Sequence, residues 1–333
     1  MIKEYNLRSG LYGAIVGDAL GVPFEFLPRE DRDKQPCTTM IGYGTHNQPR
    51  GTWSDDTSMT LAGLDGLTEN IKQNGGEVLD YDLIMDKYMR WFLLSDYTPY
   101  NRTWGVGFAT YDAIERYIQG QDPLLCGGIG ERDNGNGSLM RTLPLVYYIH
   151  YVRGHFGEEE IQMVHNFSSL THRHKRSQIS CGIYSFIAWE ILENNMKNGI
   201  KTLEETIHDA IEKAKEYYLN NKEFEEEIHH FDRVLSNNIK DLQRDEIKSG
   251  GYTVNTLEAS LWCLLNNGNY KDTLLCAVNL GGDTDTTGCV CGGLAGLHYG
   301  LENIPSDWLG CLVKKGYLEM MMDDFLLEVE SNG

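Results

Sequence analysis

Hydrophobic positions along this chain recur at three- and four-residue spacing, and convincing runs of strict alternation are absent. The pattern predicts an all-α fold. Residues 7–22, LRSGLYGAIVGDALGV, read as a helix of small residues suited to close packing. A helix is expected from the SDDT cluster at 54–57 to about Asn70. Asp80 can cap YDLIMDKYMRWFLL, whose Ile84, Tyr88, Trp91 and Phe92 share one face. Further helices are expected over 103–119, 143–152, 158–170 and 174–194. The 143–152 stretch, LPLVYYIHYV, carries β-branched and aromatic residues that would also suit a strand. From 203 to 245 the amphipathic, charged pattern predicts a solvated helical layer without chemistry. Asn255 and Glu258 look like a capping box for NTLEASLWCLL. A short helix over 270–280 and a helical tail over 306–331 complete the set. Residues 30–50 read as loop.

No proline- or serine-rich linker divides the chain, so residues 1–333 are expected to form one domain. The formal charge of 29 − 49 = −20 argues against nucleic acid as a partner across the whole surface. Eight cysteines without a Cys-x-x-Cys pair read as buried, reduced thiols. No run reaches the length of a membrane span, and the N-terminus lacks a signal-peptide core. A cytoplasmic protein with no membrane partner is the expectation.

Two stretches change the picture from fold to chemistry. GGDTDTTG at 281–288 offers Asp283, Asp285 and Thr286, and TWSDDTSM at 52–59 offers Ser54, Asp55, Asp56 and Thr57. Each precedes a helical run, where Ser and Asp are ordinary N-caps, and for either cluster alone capping is an equal reading. Together, their matching order of carboxylates and hydroxyls predicts two halves of one metal site. Four carboxylates repel unless cations lie among them, and oxygen donors without Cys or His suit Mg²⁺ or Mn²⁺. The oxygens suffice for two divalent cations.

Other candidates surround this pair. In NGNGSLMR, residues Asn134, Gly135, Asn136, Gly137, Ser138, Leu139, Met140 and Arg141, glycines open backbone amides to an anion, a helix start is expected, and Arg141 adds charge. A plain flexible turn is the alternative. His172 and His174 lie in a turn between helices, where a histidine is more often structural than catalytic. Tyr252, Trp53 and Trp104 are either loop aromatics that stack on a ligand or core anchors. Glu25 either activates water or partners a buried donor.

The stretches GLYGAIVGDALGVPFEF, GTWSDDTSM, NGNGSLMR, LTH, GGYTVNTLEASLW and NLGGDTDTTG, in this order over about residues 7–300, resemble the ADP-ribosylglycohydrolase family, in particular its bacterial dinitrogenase-reductase-activating branch. The resemblance implies a compact orthogonal multi-helix bundle, two Mg²⁺ or Mn²⁺ ions, and hydrolysis that frees ADP-ribose from an ADP-ribosylated protein. It places metal ligands on Ser54, Asp55, Asp56, Asp283, Asp285 and Thr286. It places ADP-ribose contacts on the 134–141 loop, His172 and Tyr252, and an acidic residue near the site on Glu25. A ligand carboxylate (Asp55, Asp56 or Asp285) or Glu25 is expected to act in catalysis by taking the proton of the attacking water. Ser54 stands where the family often has Thr, and the basic run Arg173-His174-Lys175 has no counterpart in the family pattern. Arginine-linked ADP-ribose is the favoured substrate, because its cationic leaving group needs little acid help. The rival readings are a phosphoesterase acting on a nucleotide diphosphate and a non-catalytic ADP-ribose binder.

Overall fold

A computed structural model describes residues 1–332, which carry fifteen α-helices joined by 3₁₀ turns, with two isolated β-bridges and no sheet. In chain order they are α1 (Ile2–Gly21), α2 (Arg29–Lys34), α3 (Asp55–Asn74), α4 (Tyr81–Leu94) and α5 (Phe108–Ile118). There follow α6 (Leu143–Tyr148), α7 (Glu158–Ser169), α8 (Lys175–Met196), α9 (Leu203–Asn220) and α10 (Asp232–Leu235). The last five are α11 (Thr253–Leu265), α12 (Tyr270–Val278), α13 (Thr284–Tyr299), α14 (Ser306–Cys311) and α15 (Lys315–Asn332). The chain is therefore all-α, as its periodicity predicts. LPLVYYIHYV is helical, α6 running into a π-turn over Ile149–Arg153.

Several boundaries differ from the sequence expectation for local reasons. The 203–245 layer is helical only to Asn220, then breaks into short 3₁₀ turns around the four-residue α10. Its amphipathic pattern continues, but Phe224, Ile228 and Phe231 are buried from turns. Asn255 does not start α11; Tyr252 is the N-cap and makes no side-chain capping bond. The 103–119 helix begins only at Phe108, after the Gly105 kink at φ 80°. Asp80 does cap α4, its side chain accepting from the Asp82 amide.

The chain divides into two compact units, one of residues 1–53 and 186–313, the other of residues 54–185 and 314 onward. In the first, α1 and α13 pack antiparallel in unusually close contact. A Cβ on Gly17 would lie 2.0 Å from the Gly288 carbonyl oxygen, and one on Gly13 would lie 2.3 Å from that of Gly292. Glycine recurs every four residues on both partners, so the backbones themselves touch. Inserting one methyl here costs about 1–3 kcal/mol or more, since only backbone stands in its way. Helices α11 and α12 cover α13, with Ala259, Cys263, Ala277 and Cys291 in a common core. In the second unit α3 packs on α4, α6 and α15. Trp91, Tyr88 and Phe167 are fully buried there.

Candidate active-site residues

In the first unit, the antiparallel α1–α13 pair brings the C-terminus of one helix to the N-terminus of the other. A Cβ on Gly21 would lie 2.4 Å from the backbone of Asp285. Thr284 Oγ1 donates to the Gly21 carbonyl at 2.8 Å, fastening the two ends. Asp283 is the N-cap of α13 but makes no side-chain capping bond; its amide donates to the Ser249 carbonyl at 2.8 Å. Beyond Gly21 a 3₁₀ turn, Val22–Phe24, delivers Glu25. Phe26 N donates to Gly282 O at 2.7 Å, and Gly282 N returns a bond to Leu27 O at 2.8 Å. One carboxylate oxygen each from Glu25, Asp283 and Asp285 all lie within 4.8 Å of one another. Asp285 is buried, and Glu25 and Asp283 are half-buried. Thr286 is buried beside them in sequence. This is an all-oxygen, acidic donor set, and it fits a hard divalent cation.

The residue after this cluster's supporting loop is Tyr252, half-buried at the head of α11. A Cβ on Gly251 would lie 3.2 Å from Asp283 Oδ2, so the SGGY backbone runs against the cluster. Trp53 is a core anchor; it is fully buried and its indole N–H donates to Val313 O at 3.2 Å.

In the second unit, Ser54 caps α3. Its Oγ accepts from the Asp56 amide at 3.2 Å and also donates to Asp56 Oδ2 at 3.2 Å. Asp55 and Asp56 are buried in the first turn of that helix, and Thr57 is fully buried behind them. Gly105 lies against Asp55; a Cβ there would come 2.3 Å from Asp55 Oδ1.

The 134–141 loop packs on the same helix, Thr60 Oγ1 donating to Met140 O at 3.4 Å. Its end is a three-residue 3₁₀ turn, Leu139–Arg141, and the regular helix begins only at Leu143. The expected helix N-terminus at the loop is thus replaced by loop amides alone. Asn134, Asn136, Ser138, Leu139 and Met140 are buried, while Gly135 and Gly137 are half-buried. Ser138 Oγ accepts from Ser168 Oγ at 2.9 Å, which ties the loop to α7. Gly137 faces His172: an added Cβ would lie 2.8 Å from its Cε1.

Arg141 departs from the role that its place in the sequence suggests. Its guanidinium is completely buried and donates to Tyr88 Oη at 2.7 Å, Thr171 Oγ1 at 2.8 Å and Phe167 O at 3.1 Å. The Tyr88 and Phe167 rings flank it at 4.6 and 4.8 Å. It supports the loop from beneath and is not an exposed anion donor. Thr171 Oγ1 also bonds His172 Nδ1 at 2.8 Å. Burial, reinforced by the Arg141 charge, pushes the His172 pKa down to about 3, so the imidazole stays neutral. His174 is structural, its Nδ1 accepting from the Arg176 amide at the start of α8. The unmatched basic run is likewise engaged, with Arg173 on Gly127 O and Lys175 Nζ donating to Gln178 Oε1 at 3.1 Å.

Sequence reasoning missed His46. Its Nε2 hydrogen-bonds the Glu25 carboxylate, 21 residues away along the chain. A lone histidine in a 30–50 stretch read as loop carries no periodic signal. All eight cysteines are thiols outside any disulfide, six of them buried. Among the described residues no helix is long and apolar enough to cross a membrane.

Comparison with known proteins gives these features a context. The family model described as ADP-ribosylglycohydrolase matches residues 3–333. The chain is 32% identical over 312 residues to the ADP-ribosylarginine hydrolase Tri1 of Serratia proteamaculans, covering 92% of this chain and 75% of that one. It is 27% identical to the ADP-ribosyl-[dinitrogen reductase] glycohydrolase of Rhodospirillum rubrum, over 91% of this chain and 88% of that one. A solved structure titled ADP-ribosylglycohydrolase-related protein complex superposes with a TM-score of 0.76 at 27% identity, covering 98% of this chain and 99% of that one. The all-α fold, the acidic helix starts and the match over nearly the whole chain agree: this enzyme belongs to the ADP-ribosylglycohydrolase family.

Proposed function

We propose that this protein hydrolyses the N-glycosidic bond joining ADP-ribose to arginine side chains of proteins, releasing ADP-ribose, with two divalent cations, Mg²⁺ or Mn²⁺, as cofactors. The observation that carries the reading is the oxygen-only group of Glu25, Asp283 and Asp285 at the α1–α13 junction, in a chain of this family. Ser54, Asp55 and Asp56 are assigned as ligands in the other unit, and Asp283, Asp285 and Thr286 in the first. When bound, cations held by these residues would supply positive charge for sugar hydroxyls and for the acidity of a water. Asp55, Asp56, Asp285 or Glu25 would take the proton of the water that attacks the anomeric carbon, as the bond from that carbon to the leaving nitrogen breaks. The carboxylates stabilise the oxocarbenium-like charge that develops on the ribose. Within the second unit, the amides of the 134–141 loop are the candidate diphosphate donors with His172 beside them; Tyr252, in the first unit, is a separate candidate ADP-ribose contact.

The leaving group decides the linkage. Arginine departs as a delocalised guanidine and needs little proton donation, whereas serine must leave as an alkoxide and needs an acid. His172 is buried and held neutral, with its pKa near 3, so it is poorly suited to act as that acid. This supports arginine, in keeping with the names of the Tri1 relatives. Purified enzyme with Mg²⁺ or Mn²⁺ is expected to cleave arginine-linked ADP-ribose at least about tenfold faster in kcat/KM than serine-linked, roughly 1.4 kcal/mol in barrier. EDTA should abolish turnover. Equal rates on both linkages would overturn the linkage, and AMP as product would overturn the glycosidic chemistry.

A further inference from the structure

We propose that His46 is a positioning residue that fixes the Glu25 carboxylate for its work beside Asp283 and Asp285; this rests on the functional reading above. Three carboxylates within 4.8 Å repel one another. Glu25 sits on a turn after α1, outside any helix, as does the N-cap Asp283, whereas Asp285 lies within α13. Left alone, its side chain would gain by swinging away from the two aspartates into solvent. Yet its side chain is only 14% exposed, and His46 Nε2 holds one carboxylate oxygen by a hydrogen bond.

The backbone around His46 is built for that bond. Tyr43, Gly44 and Asn47 all have positive φ, at 68°, 63° and 50°, which curls residues 43–48 into a tight turn. At Gly44 the curl brings the Pro23 carbonyl oxygen to 2.0 Å from where a Cβ would stand, so only glycine admits the approach. Thr45 Oγ1 donates to the Glu25 carbonyl at 2.8 Å. The Phe26 ring meets the His46 imidazole edge-on at 6.0 Å. Glu25 is therefore gripped twice: its backbone by this turn and by the Gly282 pairing of the next residue, its carboxylate by His46. Strained, left-handed turns of this kind persist where surrounding contacts over-determine them.

The test uses the full-length enzyme and two variants, His46→Ala and His46→Gln. The glutamine keeps an N–H donor of similar reach. Partners that orient ligand carboxylates are worth about 10- to 100-fold in metal affinity or rate, so His46→Ala should lose about that much in Mn²⁺ affinity by calorimetric titration or in kcat, with KM within about twofold. His46→Gln should recover most of the loss, and the cation-free melting temperature should be unchanged in both. Wild-type Mn²⁺ affinity and kcat in His46→Ala would overturn the proposal. So would a loss that His46→Gln fails to recover while both variants melt early, which marks a merely structural histidine. If wild type fails to hydrolyse ADP-ribosyl-arginine while the calorimetric loss and its rescue still appear, the substrate reading falls and the positioning role stands.

Discussion

The two acidic helix starts are near copies in sequence, yet the molecule fixes them differently. At α3, Ser54 spends its hydroxyl on the Asp56 amide and carboxylate, so the cluster is knitted to its own helix. At α13, Asp283 makes no side-chain capping bond; Asp283 N bonds Ser249 O, Thr284 bonds Gly21 O, Thr287 bonds Asp283 O, and the Asp285 carboxylate accepts from the Thr286 amide at 3.0 Å. The capping explanation thus holds for Ser54 and fails for Asp283. Two similar acidic helix starts thus use their N-cap residues, Ser54 and Asp283, differently.

That comparison is open to attack at several strengths. The largest effect is expected from Asp285→Ala and Asp56→Ala, each of which should cut hydrolysis at least about a thousandfold, near 4 kcal/mol, with the fold retained by circular dichroism. Wild-type turnover in one of the two would show that only one cluster carries the chemistry. Next come the glycines that crowd each cluster. Gly21→Ala must displace the Asp285 backbone and should cost about 1–3 kcal/mol in urea unfolding together with weaker Mn²⁺ binding. Gly105→Ala, at a positive φ, meets the Asp55 side chain first and should cost nearer about 1 kcal/mol. Smaller still, Ser54→Ala should lose about 1 kcal/mol of stability as a cap, whereas Asp283→Ala, which removes no capping bond, should lose activity without that capping cost. Equal destabilisation would erase the contrast between the two starts.

The smallest effect is an absence, and it sharpens the picture of the loop beside α3. His172 and the buried His165 of α7 both have pKa values lowered by burial to about 3, from 6.5. Their imidazole signals in NMR should not titrate between pH 8 and pH 5. The unfolded chain takes up these protons near 6.5 and the native chain does not. Their contribution to stability is therefore complete above about 6.5 and drains as pH falls toward 3, by at most about 1.4 kcal/mol per pH unit for each group. An inflection for either ring above pH 5 would contradict a closed, neutral site.

Much of this is legible in the sequence because it is local. Helical period, the Asp80 cap and the glycine spacing of α1 are written within a few residues of where they act. The acidic pair at 283 and 285 is equally local. What escapes is tertiary. Arg141 looks like an anion donor at the end of a glycine-rich loop, and only the arrival of Tyr88 from α4 and Phe167 from α7 encloses it. His46 acquires meaning only when the 43–48 turn folds onto Glu25. The 203–245 stretch misleads for the opposite reason: its apolar residues are buried as a helix would bury them, but short turns place them there.

The glycine seam between α1 and α13 has a consequence for time as well as shape. Backbone packed on backbone has no rotamers to relax, so this pair opens only with the unit as a whole. Binding residues usually sit on segments that breathe easily; here Asp283 and Asp285 stand at the start of a helix packed backbone to backbone on its neighbour. The carboxylates should hold their spacing through cycles of cation loss and return, with no refolding to await. Amide hydrogens along 10–20 and 286–296 should then exchange with solvent last, at the same rate whether or not the protein has been stripped with EDTA.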